Sequence, residues 1–124
     1  MVSDLINASI EKELTGMEWA GGLPGTLGGA IRGNAGCFGG EIKDVVDTVT
    51  AVNFKGEILK FDNSDCKFSY RHSRFKEEKL IVAEVVLDLK KDLSQEKIRE
   101  IAESRIQYRK DRQPLEFPNC GSVF

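Results

Sequence analysis

Gly21-Gly22-Leu23-Pro24-Gly25-Thr26-Leu27-Gly28-Gly29-Ala30-Ile31-Arg32-Gly33-Asn34-Ala35-Gly36-Cys37-Phe38-Gly39-Gly40 decides how the chain is read. With Gly16, this stretch holds ten of the twelve glycines among 124 residues. Flexible linkers are rich in Gly and Ser and are polar, but here Trp19, Leu23, Leu27, Ile31 and Phe38 are interleaved with the glycines. The segment is therefore folded, and it divides a helical start from a β-rich continuation. Glycines let the main chain take positive φ and bring successive N–H groups close to negative oxygens. Pro24 stiffens the turn, Thr26 offers a hydroxyl to a phosphate, and a helical turn opening at Gly28 to Ile31 would add its dipole. The run is neither the G-x-G-x-x-G dinucleotide fingerprint nor a P-loop, because no Gly-Lys-Ser/Thr follows. Two readings stand on pattern alone: a cradle for a phosphate-bearing ligand, or tight turns packed against a helix.

Before this stretch, Ser3 to Leu14 reads as an amphipathic helix. Ser3 is its candidate cap, Ile6, Ile10 and Leu14 form its stripe, and Gly16 is its left-handed stop. After it, Val45 to Asn53 and Ile58 to Phe61 read as a hairpin turning at Lys55-Gly56. Asp62 to Lys67 is turn-like. Leu80 to Leu89 alternates, so Ile81, Ala83, Val85, Leu87 and Leu89 are expected on one buried face, with Glu84 and Asp88 opposite. Ser94 caps a last helix with Glu96 in its first turn and Ile98, Ile101, Ala102 and Ile106 as its stripe. Pro114 and Pro118 close the regular structure. The expected class is α+β, a small antiparallel sheet flanked by helices.

Composition narrows the function classes. Apolar residues at 40% and charged residues at 31% suit a globular domain, and a length of 124 allows one. The net charge of −2 offers no basic surplus for nucleic acid. No apolar run approaches the roughly 20 residues of a membrane span, and the start lacks the order of a secretory signal. A cytoplasmic location is expected. Cys37, Cys66 and Cys120 are scattered, and His72 is the only histidine, so no metal site is expected and the cysteines read as reduced, partly buried thiols.

Two further motifs carry candidate chemistry. Arg71, in Phe68-Ser69-Tyr70-Arg71-His72-Ser73, is a permanent cation beside aromatic rings. It can face an anionic group or simply sit in a surface loop. Ser122, in Gly121-Ser122-Val123-Phe124, can project a hydroxyl into a cleft or merely stabilise a turn. No G-x-S-x-G elbow surrounds it.

Taken in order, three motifs resemble one family. They are Gly16 to Ala30 with Asn34-Ala35-Gly36, Phe68 to Ser73, and Gln113-Pro114-Leu115-Glu116 through Gly121-Ser122-Val123-Phe124. The family is the UDP-N-acetylenolpyruvoylglucosamine reductases, also called UDP-N-acetylmuramate dehydrogenases (the MurB family), in its type II form. The resemblance implies an FAD-binding subdomain of PCMH type, like that of CO dehydrogenase flavoproteins. It would span residues 1–112, with 113–124 beginning a C-terminal substrate domain. It implies a flavin-dependent oxidoreductase of peptidoglycan precursor synthesis, in which NADPH reduces FAD and UDP-N-acetylglucosamine enolpyruvate becomes UDP-N-acetylmuramate. Gly22, Pro24, Gly25, Thr26, Gly28, Gly29, Asn34 and Gly36 match the FAD-cradling loops, and Ile81 matches a strand position whose main chain touches the flavin. Arg71 matches the arginine that stabilises negative charge on the substrate, and Ser122 matches the serine that donates a proton. The family's N-terminal pyrophosphate loop and catalytic glutamate lie outside the matched motifs, so a separate chain or further segments would complete the enzyme. The alternative is a non-catalytic flavin- or nucleotide-binding remnant. Cys37 stands where the family usually has alanine, and Arg32-Gly33 where it has bulkier residues.

Overall fold

The computed structural model describes residues 1–114 and Phe117, and its elements follow the expected order. Helix α1 (Val2–Glu11) leads through a 3-10 turn (Glu18–Ala20) to α2 (Leu27–Arg32). A two-residue hairpin, β1 (Gly36–Cys37) with β2 (Gly40–Glu41), follows. Next come β3 (Val46–Val52), β4 (Ile58–Asp62), a 3-10 turn (Asn63–Cys66), α3 (Arg74–Glu77), β5 (Ile81–Leu87) and α4 (Gln95–Arg112). The larger sheet is antiparallel in the order β4-β3-β5, so the class is α+β. Among the described residues no helix is long and apolar enough to cross a membrane.

One apolar cluster unites the elements. Val2, Ile6 and Ile10 of α1 join Ile98 and Ala102 of α4, Trp19 and Ala20 of the 3-10 turn, and Val49 and Ala51 of β3. Ser94 caps α4 as expected, its Oγ accepting from the Lys97 N–H at 3.3 Å. The basic residues in the last turn of α4 suit the negative end of its dipole.

Two expectations need correction. The first helix is shorter than Ser3 to Leu14, and Ser3 lies inside it rather than capping it. Its stripe begins at Val2, and the left-handed residue just beyond its end is Glu13 (φ 56°), not Gly16. In β5 the single apolar face breaks. Thr50 pairs with Glu84 and Ala51 with Val82, leaving Ala83 as an extra residue. A bulge of this kind inverts the alternation. Val85 and Leu87 keep the predicted inward face, but Val82 replaces Ala83 and Ile81 there. Ile81 is 58% exposed as a result. A second shift between Val46 and Thr48 leaves Asp47 unpaired opposite β5 and lets Val46 and Val49 both turn inward.

Candidate functional site

The glycine-rich segment is held against the rest of the fold from two sides. On one side stands α4. Arg109 Nε donates to the Gly21 carbonyl at 2.9 Å, and Arg109 Nη2 reaches Cys37 Sγ at 3.0 Å. Gly21 is required by this closeness, since a β-carbon there would collide with the Ala102 carbonyl. Arg105 and Arg109 both lie over the Phe38 ring, at 4.6 and 5.5 Å from its centroid. These arginines were not singled out from sequence. Their signal was spacing, because Ala102, Arg105 and Arg109 recur every three or four residues on the inward face of α4.

On the other side stands the Phe68–Ser73 motif, joined to the glycine segment by three rungs. Asn34 Nδ2 donates to the Ser69 carbonyl at 2.9 Å. Arg71 Nη2 donates to the Gly36 carbonyl at 2.8 Å. Ser73 Oγ donates to the Arg32 carbonyl at 2.8 Å. Asn34 and Ser73 are fully buried, so their two bonds are partly shielded from water, whereas the Arg71 bond is exposed. Ser69 and His72 exchange main-chain hydrogen bonds at 3.0 and 3.1 Å, which places Tyr70 and Arg71 at the tip of a tight turn. Arg71 sits in the left-handed region (φ 53°), a conformation costing roughly 1 kcal/mol for such a residue. Its guanidinium lies 5.3 Å from the Tyr70 ring centroid. One of five N–H donors is committed to Gly36, and the others are available to an anion.

Two clefts flank the joined motifs. The first, about 330 Å³, runs between α2 and the start of β5, where Thr26, Gly28, Gly29 and Arg32 face Leu80, Ile81 and Val82. Thr26 caps α2 by accepting from the Gly29 N–H at 3.1 Å, which leaves its own O–H to donate. Among the described residues no carboxylate lines this cleft. The second, about 380 Å³, is bounded by Gly36, Cys37, Glu41, Lys43, Tyr70 and Arg71, among others. Here Glu41 accepts from Lys43 Nζ at 2.7 Å and from Asn34 Nδ2 at 3.2 Å. The Lys43 bond first, then the Asn34 bond, holds the Glu41 carboxyl below its usual range, and Glu41 in turn raises Lys43. Burial pushes the Cys37 thiol up and outweighs the opposing pull of Arg109.

Thr26, Gly28, Gly29 and Ile81 therefore meet at one cleft, and Gly36 and Arg71 at the other. Asn34 braces both motifs, its Oδ1 also accepting from the Lys43 N–H at 3.2 Å. Gly22, Pro24 and Gly25 form the exposed loop that leads into α2. Gly25 has φ 111°, and no atom of the described residues lies within 4 Å of where a β-carbon would stand. Ser122 and Cys120 lie outside the described residues. A larger depression of about 580 Å³, bordered by Glu18, Trp19, Asp88 and Arg105, includes none of the described residues nominated as site residues from sequence. Volume alone does not make it the site.

No protein-family model matches the chain. It is 41% identical over 126 residues to the UDP-N-acetylenolpyruvoylglucosamine reductase of Staphylococcus epidermidis, covering 99% of this chain and 40% of that protein. The enzyme of the same name from Caldanaerobacter subterraneus subsp. tengcongensis is 43% identical over 123 residues, with the same shares covered. The crystal structure of UDP-N-acetylenolpyruvylglucosamine reductase (MurB) from Thermus caldophilus superposes with a TM-score of 0.79 at 28% identity, covering 90% of this chain and 41% of that one. The chain is thus homologous, over nearly its whole length, to one section of these reductases. It spans about 40% of the length of the relatives it matches.

Proposed function

We propose that this chain is the central, FAD-binding portion of a UDP-N-acetylenolpyruvoylglucosamine reductase. The observation that carries the reading is the triple join between Asn34, Gly36 and Arg32 on one side and Ser69, Arg71 and Ser73 on the other. Two motifs nominated separately form one hydrogen-bonded unit, with an open cleft on each flank.

The residues present suit a flavin dinucleotide. The first cleft combines donors and a cation with the apolar surface of Leu80 to Val82, and among the described residues no side chain there repels a phosphate. Gly25 leaves open the space a β-carbon would fill. Gly22, Pro24, Gly25, Thr26, Gly28, Gly29, Asn34, Gly36 and Ile81 are the proposed cofactor-binding set, acting through main chain and position as much as through side chains.

Bound FAD, charged by NADPH, would supply hydride to the enolpyruvyl double bond of UDP-N-acetylglucosamine enolpyruvate. The chain's own part is charge and placement. Arg71 directs a permanent cation into the second cleft, where negative charge spreads toward the substrate carboxylate as hydride arrives. Its orientation is fixed in advance by Gly36 and by the turn, so little reorganisation accompanies the reaction. Ser122 is the proposed proton donor that completes the reduction. Residues 1–112 belong to the flavin-binding domain in this reading, and 113–124 open the substrate-binding domain. The same reading assigns a cytoplasmic location. Segments corresponding to the unspanned parts of the relatives, in this or another chain, would complete the catalytic set.

Titration of the chain with FAD, followed by flavin fluorescence, tests the reading. Saturable quenching is expected, with weak affinity because the chain spans 40% of the relatives' length. No quenching at high protein concentration would overturn it. Quenching without oxidation of NADPH dependent on the enolpyruvyl substrate is the result expected of these 124 residues alone.

A further inference from the structure

We propose that Arg32 recognises phosphate, its guanidinium supplying the positive charge that holds the diphosphate of a flavin dinucleotide in the cleft between Thr26 and Ile81. The inference rests on the flavin reading and adds to it a residue whose type the reductase resemblance does not supply.

The placement is the first argument. Arg32 is the last residue of α2, and its carbonyl is pinned by Ser73 Oγ at 2.8 Å. The other end of α2 is fixed by the Thr26 cap. The side chain therefore leaves a backbone held at both ends and lines the cleft with Thr26, Gly29 and Ile81.

Its lack of a partner is the second argument. Arg71 and Arg109 donate to main-chain carbonyls, Arg74 pairs with Glu78, and Arg105 stacks on Phe38. The Arg32 side chain makes no hydrogen bond or ion pair among the described residues, and it is exposed. Among the described residues it is the only charged side chain lining this cleft.

The chemistry of the lining is the third argument. The cleft offers a cation and a free hydroxyl hydrogen on one wall and the apolar stretch Leu80 to Val82 on the other. A complementary ligand carries an anion at one end and a flat or aliphatic body at the other. The planar fork of a guanidinium matches two phosphate oxygens at once. A bland role competes: a cation at the end of a helix interacts favourably with the dipole. That role affects stability and is blind to the ligand.

The two roles separate in one experiment. The whole chain, as wild type, Arg32→Gln and Arg32→Lys, is titrated with FAD and with riboflavin, which lacks phosphate. Flavin fluorescence reports binding, and a urea midpoint checks each fold. Arg32→Gln should weaken FAD binding about tenfold, the scale of one charge-assisted contact at an open site, and leave riboflavin binding unchanged. Arg32→Lys should fall between them. Equal weakening for both ligands, or undiminished FAD affinity in Arg32→Gln, would overturn the assignment and leave Arg32 a helix-end residue. Failure of the wild type to bind either flavin would instead overturn the flavin reading on which the assignment rests.

Discussion

Replacing Asn34 should destabilise the chain strongly, and the structure fixes the scale. The side chain is fully buried and makes three hydrogen bonds, to the Ser69 carbonyl, to Glu41 and from the Lys43 N–H. At about 1 kcal/mol net for each bond, truncation to alanine costs about 3 kcal/mol. Asn34 also sits at φ 41°, where alanine adds strain of about 1 kcal/mol that glycine avoids. Asn34→Ala should therefore lose about 4 kcal/mol and Asn34→Gly about 3 kcal/mol. With unfolding entropy near 2.1 cal/mol/K per residue, the alanine variant of this 124-residue chain should melt about 15 °C lower. Urea unfolding with linear extrapolation measures both losses, and calorimetry measures the shift. A loss below about 1 kcal/mol for Asn34→Ala would refute the bracing role, and a glycine variant weaker than the alanine one would refute the strain at φ 41°.

Other outcomes follow from the same geometry. Gly21→Ala drives a methyl into the Ala102 carbonyl and should cost about 1–3 kcal/mol in urea unfolding. Gly25→Ala meets no neighbour among the described residues, so it should cost only the strain of φ 111°, about 1–2 kcal/mol, in the same assay. Burial pushes the Cys66 thiol from 9.0 up to about 11. Because the folded value lies above the unfolded one, this group's contribution is fully present below pH 9 and is lost as pH rises from 9 toward 11. Urea midpoints should fall across that window in the wild type and fall less in Cys66→Ala. Parallel curves would contradict the burial of the thiol.

Much of the fold was legible in the sequence because its periodicities are clean. The Ser94 cap, the α4 stripe and the β3–β4 hairpin all came from local pattern. The face of β5 did not, because a bulge is created by pairing with β3 and leaves no mark in the alternation of β5 itself. The end of α1 was misjudged because Glu13 adopts a left-handed conformation that residue type does not announce. At the site, the glycine segment and the Arg71 motif were found as separate stretches. Their union rests on side chains reaching across 35 and 41 residues, and such distances are invisible to spacing. Arg109 escaped notice for the same reason, since its partners Gly21 and Cys37 lie 88 and 72 residues away.

The central claim is that the glycine segment, the start of β5 and the Arg71 turn make a single flavin site. Amide chemical shifts of the labelled chain, recorded during an FAD titration, test it most directly. The account predicts shifts concentrated at Gly22 to Gly36, at Leu80 to Val82 and at Tyr70 and Arg71, saturating together. Shifts centred instead on the larger depression beside Glu18, Trp19 and Asp88, with the glycine segment unmoved, would contradict it.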